Sequence, residues 1–393
     1  MSTSVKHIHN GMRGAPQISG TAGTLIAALD ALFTTGWGVT TAISVTVASG
    51  IATALLTSGE TFDRDAVVLI AGATPGDLNG EARVLTTSLT SVTWATTAAD
   101  GVATGTITIK YAPQTSWVKG FAGTNKAEYH STHVQSSGHS LRIDDTGTTT
   151  ARVRGYESMT DVETGVGPFP TDAQMSGGGY MWKSQTANAT AVKYRIFCDE
   201  RFVVFAISAG SVSGPQYNNA APFGFGDPIV LAPGGDAWIT LLSAGGGTLA
   251  APTGANLVAN TDSSNTTAIT VAPRAINGLG SSVLLNVRAF VSSVTTSGAD
   301  SLLGVLPSEV DGQVKYSNTF VRDPGAGKPP RATIPGVFFI PQSNAAGTLV
   351  DGDIMAGSDA LSGRKLMVVS GPGGQYNQTT TTCYLVDITG PWR

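Results

Sequence analysis

"LRIDDTGTTTARVRGYE" spans residues 141–157 and is the densest run of charge in the chain. Its two flanks alternate as strands do: Leu141 and Ile143 interleave with Arg142, and Val153 interleaves with Arg152 and Arg154. Between them, Asp145-Thr146-Gly147-Thr148 reads as a turn. Aspartates bond their own backbone in such turns, and Gly147 is expected to supply a positive φ. The competing reading is a cation site, because paired carboxylates such as Asp144 and Asp145, with loop carbonyls, suit calcium. A helix-flanked calcium loop needs regularly spaced oxygens and a terminal glutamate, and this stretch has neither. We therefore read a β-hairpin in which Asp144, Asp145 and Gly147 shape the turn. Arg142, Arg152 and Arg154 fall on the face away from the core, to be solvated or to meet acidic groups on a neighbour.

The same two-residue grammar recurs along most of the chain. "AISVTVASGIATALLT" reads as a hairpin about Ser49-Gly50, and short strands with turn signals every eight to twelve residues continue to about residue 112. "YRIFCDERFVVFAIS" reads as the central hairpin of a second unit, with Asp199 and Glu200 at its turn. The exception is "TAGTLIAALDALFTTG". There Thr24 can cap a helix, Leu25, Ile26, Leu29, Leu32 and Phe33 form its apolar face, and Gly36 can end it. The expected fold is mainly β: several β-sandwich or β-barrel units with one short N-terminal helix. The boundaries read as an N-terminal arm and helix (1–36), a small β module (37–112), a central β domain (113–245), a linker or long loop (246–270), and a C-terminal β domain with an extended tail (271–393).

Composition bounds the function. Charged residues make up 13% of the 393, where about 25% is usual, and 49 glycines help replace them. A surface of small neutral residues loses little side-chain entropy and little ion solvation when another subunit covers it. Net charge is −4. With no basic stripe, nucleic-acid binding is not expected. The N-terminus lacks an apolar leader, and the most apolar window is too short to span a bilayer. Cys198 and Cys383 read as buried hydrophobes in a chain assembled in a reducing cytoplasm.

Chemistry-bearing patterns are sparse. His7 and His9 share one face of an extended segment, but a structural zinc site wants four ligands. No Gly-x-Ser-x-Gly sits on a strand-to-helix elbow, and no phosphate loop or dinucleotide fingerprint has a βαβ context. We expect no enzyme activity, no metal and no cofactor. The loop "PFGFGDP" holds Phe223 and Phe225, which read as contact residues, as do His7 and His9. The terminal "GPWR" suggests a tail tied down by Trp392 insertion and an Arg393 contact, in this subunit or the next.

Several stretches resemble a group of virion structural proteins from tailed bacteriophages. They are "KHIHNGMRGAPQISGTAGTLIAALDA", "VVLIAGATPGDLNGEARVLTTSLTSVTW", "RIDDTG…ARVRGYESMTDVETGVGPFPT" and the final "DITGPWR". The resemblance is one of wording and order, and it covers most of the chain outside 246–330. It implies a homo-oligomeric structural subunit, tail-associated, assembled in the bacterial cytoplasm and located in the virion with other virion proteins. The small module also resembles Ig-like inserts of such particles. That implies an alternative role in surface decoration or in adhesion to a host-surface glycan.

Overall fold

The computed structural model describes residues 2–208, 222–246, 257, 268–289, 304–325, 327–372 and 381–393. Most of the expected linker, and the loop preceding Phe223, lie outside the described residues. The protein is mainly β, and its strand ladders are antiparallel throughout the described residues.

Three large sheets organise the chain. A twelve-stranded sheet runs in space from Lys6–His9 through Lys193–Cys198, Phe202–Ser208, Pro222–Gly226 and Leu241–Gly245. It continues through Gly179–Trp182, Thr150–Tyr156, Ser140–Asp144 and Lys126–Ser131 to Trp117–Gly123, and Ala268–Ala272 and Val283–Leu284 branch from it. An eight-stranded sheet occupies the segment Trp37 to Tyr111. A seven-stranded sheet takes in Asn286–Ala289, Ser317–Arg322, Pro330–Phe339, Ile354–Ala356, Lys365–Pro372 and Thr381–Asp387. Ile229–Val230 also pairs with Pro330–Phe339. The sheets thus exchange strands across the expected boundary between central and C-terminal units: Ile229–Val230 joins the third sheet and Val283–Leu284 joins the first.

Burial explains the exchange. In Phe202–Ser208, Val203, Phe205 and Ile207 face a cluster that includes the helix and the small module. Phe202, Val204 and Ala206 face a second cluster, with Val287, Val321, Val337 and Trp392. A strand buried at every position, as this one is, is stable where both faces are covered. The first sheet is therefore a wall shared by two cores.

The small module curls about one long strand. Gly80–Thr87 pairs with Val67–Ala71 through its first half and with Ser91–Ala95 through its second, with a register shift between Val84 and Thr86. Such an irregularity sharpens twist and bends the sheet. Its Ser44–Ala48 and Ile51–Leu55 hairpin turns through Ser49 and Gly50, both at positive φ (52° and 74°). That is the two-residue turn whose twist matches its strands.

The helix spans Thr24–Asp30 and continues as a wider π turn, Ala31–Thr35, which Gly36 ends at φ 67°. Leu25, Ile26, Leu29, Leu32 and Phe33 are all buried. The expected Thr24 cap is not made. Gly23 is the capping residue, and the Thr24 hydroxyl donates to the Thr21 carbonyl at 2.9 Å.

The N-terminal segment is packed, which differs from the arm read from sequence, while the C-terminal tail is tied down as its Trp392 and Arg393 suggested. Lys6–His9 pairs with Lys193–Cys198, and Val5, Ile8, Met12 and Ile18 are buried. Local composition could not reveal this, because the apolar residues that cover the segment lie nearly 200 positions away.

Candidate functional site

The hairpin at 141–157 forms as expected, with Arg142 opposite Arg154 and Asp144 opposite Arg152. Its two aspartates part company. Asp144 points outward, accepts the Thr146 amide at 3.2 Å, and lies 3.5 Å from both Lys126 and Arg142. Partial burial raises its carboxyl, but the Thr146 hydrogen bonds and those two cations outweigh it and leave the pKa below the ordinary value. Asp145 points inward with no exposed surface. One carboxylate oxygen accepts the Leu25 amide at 2.8 Å and the Ile26 amide at 3.4 Å, and the other pairs with Lys183, itself fully buried. Asp145 therefore caps the helix from 120 residues away, where orphan amides and the helix dipole favour an anion. Gly147 corrects another expectation. It does not adopt positive φ; it is needed for room, since a Cβ there would sit 2.2 Å from the Thr150 carbonyl oxygen.

Two of the three arginines, Arg142 and Arg154, meet acidic partners within their own chain, and Arg152 meets backbone carbonyls and a ring. Arg142 donates to the Val162 carbonyl at 2.7 Å and pairs with Glu163. Arg154 pairs with Asp172, at 2.5 Å, and reaches the Met175 carbonyl. Arg152 binds the Ser176 and Gly178 carbonyls and lies 3.8 Å over the Tyr180 ring. Together they clasp the long loop after Glu157 onto the sheet. Phe169, fully buried, seals that loop by exchanging two 2.8 Å backbone hydrogen bonds with Gly155. A Cβ at Gly155 would fall 2.2 Å from its ring.

The terminal residues are held in the same chain. The Trp392 indole donates to the Asp387 carbonyl at 2.7 Å and covers Gly336. Arg393 pairs with the buried Asp199 at 3.0 Å and donates to the Asp227 carbonyl at 2.8 Å. Asp199 also accepts the Arg201 and Phe202 amides, at 2.8 and 2.7 Å, and so shapes the central hairpin turn. Phe223 and Phe225 lie in strand Pro222–Gly226 and are 4% and 1% exposed, so they fill the core rather than a surface loop. His7 is buried and His9 is a quarter exposed; both lie on the edge strand.

Two junctions escaped the sequence reading. Among the described residues, Arg83 directs all its hydrogen bonds to backbone carbonyls. It reaches Ser2 at 2.8 and 3.0 Å, Asp65 at 2.5 Å, Ile388 at 2.9 Å and Thr389 at 3.1 Å. One guanidinium thus joins the N-terminus, the small module and the C-terminus. No local signal marks it, because its acceptors are main-chain atoms far away in sequence.

The second junction gathers on Asp227, which accepts from Ser136, Ser137 and Thr240 at 2.7–3.1 Å. His139 Nδ1 lies 2.6 Å from the Thr240 hydroxyl oxygen. Hydroxyl, imidazole and carboxylate are the parts of a nucleophile relay, but their order is wrong for one. Here the carboxylate takes the hydroxyl protons, so the imidazole donates to Thr240 instead of accepting from it. The arrangement fixes 136–140 against 227–240.

Among the described residues, no group of three metal-ligating side chains is close enough to hold an ion. No helix among them is long and apolar enough to cross a membrane. The chain matches no protein-family model, and no curated protein is significantly similar to it.

Proposed function

We propose that the chain is a structural subunit of a tailed-phage virion, tail-associated, which works by oligomeric assembly with copies of itself and with other virion proteins. The observation that carries this reading is the outer face of the small module. Ser44, Thr46 and Ala48 lie beside Ile51, Thr53 and Leu55, and these beside Ser91, Thr93 and Ala95. Val102 extends the face past Thr46 and is 71% exposed; Leu55 is 42% exposed. None of these ten positions is charged. Such a face can be covered without stripping water from an ion. The sequence resemblance supplies the virion context. With Lys6–His9 paired in the sheet and Trp392 docked beside Gly336, this reading places contacts between subunits on preformed faces. Electron microscopy of the concentrated full-length protein tests this. Rings or tubes of constant diameter are expected; dispersed single particles at every concentration would count against it.

A second reading, surface decoration or glycan adhesion, has one observation in its favour. A recess of about 350 Å³ in the small module is lined by Asp77, Asn79, Glu81, Thr96 and Thr97 around Trp94. Titration of the full chain with millimolar sugars tests it, and absence of heat would remove it.

A further inference from the structure

The strand Lys6–His9 ends the twelve-stranded sheet and, among the described residues, pairs with one neighbour, Lys193–Cys198. Its His7 is 6% exposed, with its ring 6.3 Å from His9 and 6.0 Å from Phe197. Among the described residues, the charged groups acting on His7 are all cationic. They are His9 on its own strand, Arg83 from the small module and Arg195 from the paired strand. The acids nearby are engaged with other groups. Asp63 faces His9 Nε2 at 3.8 Å, Asp351 pairs with Arg195 at 2.5 Å, and Glu81 pairs with Lys6 at 2.7 Å. Asp65 and Asp387 lie beside Arg83. The Gly11 amide donates to His9 Nδ1 at 3.1 Å, which places the neutral His9 proton on Nε2, toward Asp63.

We propose that residues 2–9 are an acid-released clamp: when His7 takes up a proton, this strand leaves the sheet edge and bares Lys193–Cys198. The geometry gives the reason. A proton on His7 adds a third charge to a buried group that already holds two guanidinium ions, without an acid to receive it. Leaving the sheet returns that charge to water. Burial first, then these cations, hold the His7 imidazole well below the ordinary histidine value while the strand is docked. The strand is four residues long and, among the described residues, has one ladder, so fewer main-chain hydrogen bonds hold it than hold the strands behind it. Arg83, one of the cations acting on His7, also holds the Ser2 carbonyl, so the whole segment from Ser2 shares the event. The bared edge carries the apolar pair Ile196 and Phe197, and an unpaired edge is a template for a strand from a second chain. This inference stands apart from the virion reading.

Hydrogen exchange of the full chain between pH 7.5 and 5.0 tests it. After correction for intrinsic exchange, opening of Lys6–His9 and Lys193–Cys198 is expected to rise about tenfold per pH unit below 6.5, about 30-fold at pH 5.0. His7→Phe keeps the ring stack on Phe197, removes the proton and should abolish the rise. Should that variant not fold, the wild-type series still decides, by its one-proton slope and its confinement to these two strands. Unchanged protection, an equal loss across all three sheets, or the same rise in His7→Phe would each overturn the proposal.

Discussion

Asp145 and Lys183 form an ion pair in which neither side chain reaches solvent, and the same carboxylate caps a helix 120 residues upstream. Hairpin, helix and strand end are thereby fixed on one anion. Lys183 also donates to the Thr21 carbonyl at 2.7 Å, so the chain entering the helix is held as well.

Removing one partner strands the other charge in the core. Lys183→Met is expected to lower stability by about 3–5 kcal/mol, read from urea unfolding. The Asp145→Leu/Lys183→Met double variant should recover most of that loss, short of about 1 kcal/mol for the missing cap. A double variant as unstable as the sum of the two singles would contradict the pair.

Arg83 predicts coupling between the two ends of the chain. Arg83→Met keeps much of the stem and loses every carbonyl contact. Limited proteolysis followed by intact mass should show cleavage near Ser2 and near Thr389 appearing together. Cleavage at one end alone would break the link between them.

The loop clasp separates buried from exposed arginine contacts. Asp172 is 71% exposed, so Asp172→Asn should cost less than about 1 kcal/mol. Gly155→Ala drives a methyl into the Phe169 ring and should cost about 1–3 kcal/mol. Reversal of that order would mean that the ion pair, rather than Phe169, holds the loop.

His139 gives a signed pH dependence. Burial is the main influence on its imidazole and lowers it in the folded protein. On acidification the unfolded chain therefore takes up this proton first. The His139 contribution is complete above pH 6.5 and is lost as pH falls below it, by up to about 1.4 kcal/mol per unit. His130 runs the other way. The Glu128 hydrogen bond raises its imidazole, so its contribution is present at low pH and fades as pH rises through the folded value. Urea midpoints from pH 5 to 8 should fall less steeply on the acid side in His139→Gln than in the unaltered protein, and parallel curves would contradict this.

Much of the fold was legible where a residue's neighbours are local. The alternation in Ser44–Ala48 and Ile51–Leu55, and the apolar stripe from Leu25 to Phe33, carry their own geometry. The inward aspartate was read only as a turn residue, although strand parity carries a signal for it. Leu141 and Ile143 fix a buried parity that Asp145 continues, and Gly179 and Met181 fix one that Lys183 continues. An acid and a base at inward positions of one sheet must find each other. The Arg83 junction was not legible, because main-chain acceptors at Ser2, Asp65 and Ile388 carry no residue-type signal. The same holds for the tail. Trp392 announced an anchor, but that its site is Gly336 of the same chain depends on a close approach that only the fold creates.

The central claim, assembly through the uncharged face of the small module, is tested most directly by light-scattering mass across a concentration series, for the unaltered chain and for Thr53→Lys. Thr53 is exposed at the middle of that face, so a lysine there adds charge without entering the core. The account predicts a defined oligomer that Thr53→Lys dissociates. A monomer of about the chain mass, 40.1 kDa, at every concentration, or an oligomer indifferent to Thr53→Lys, would contradict it.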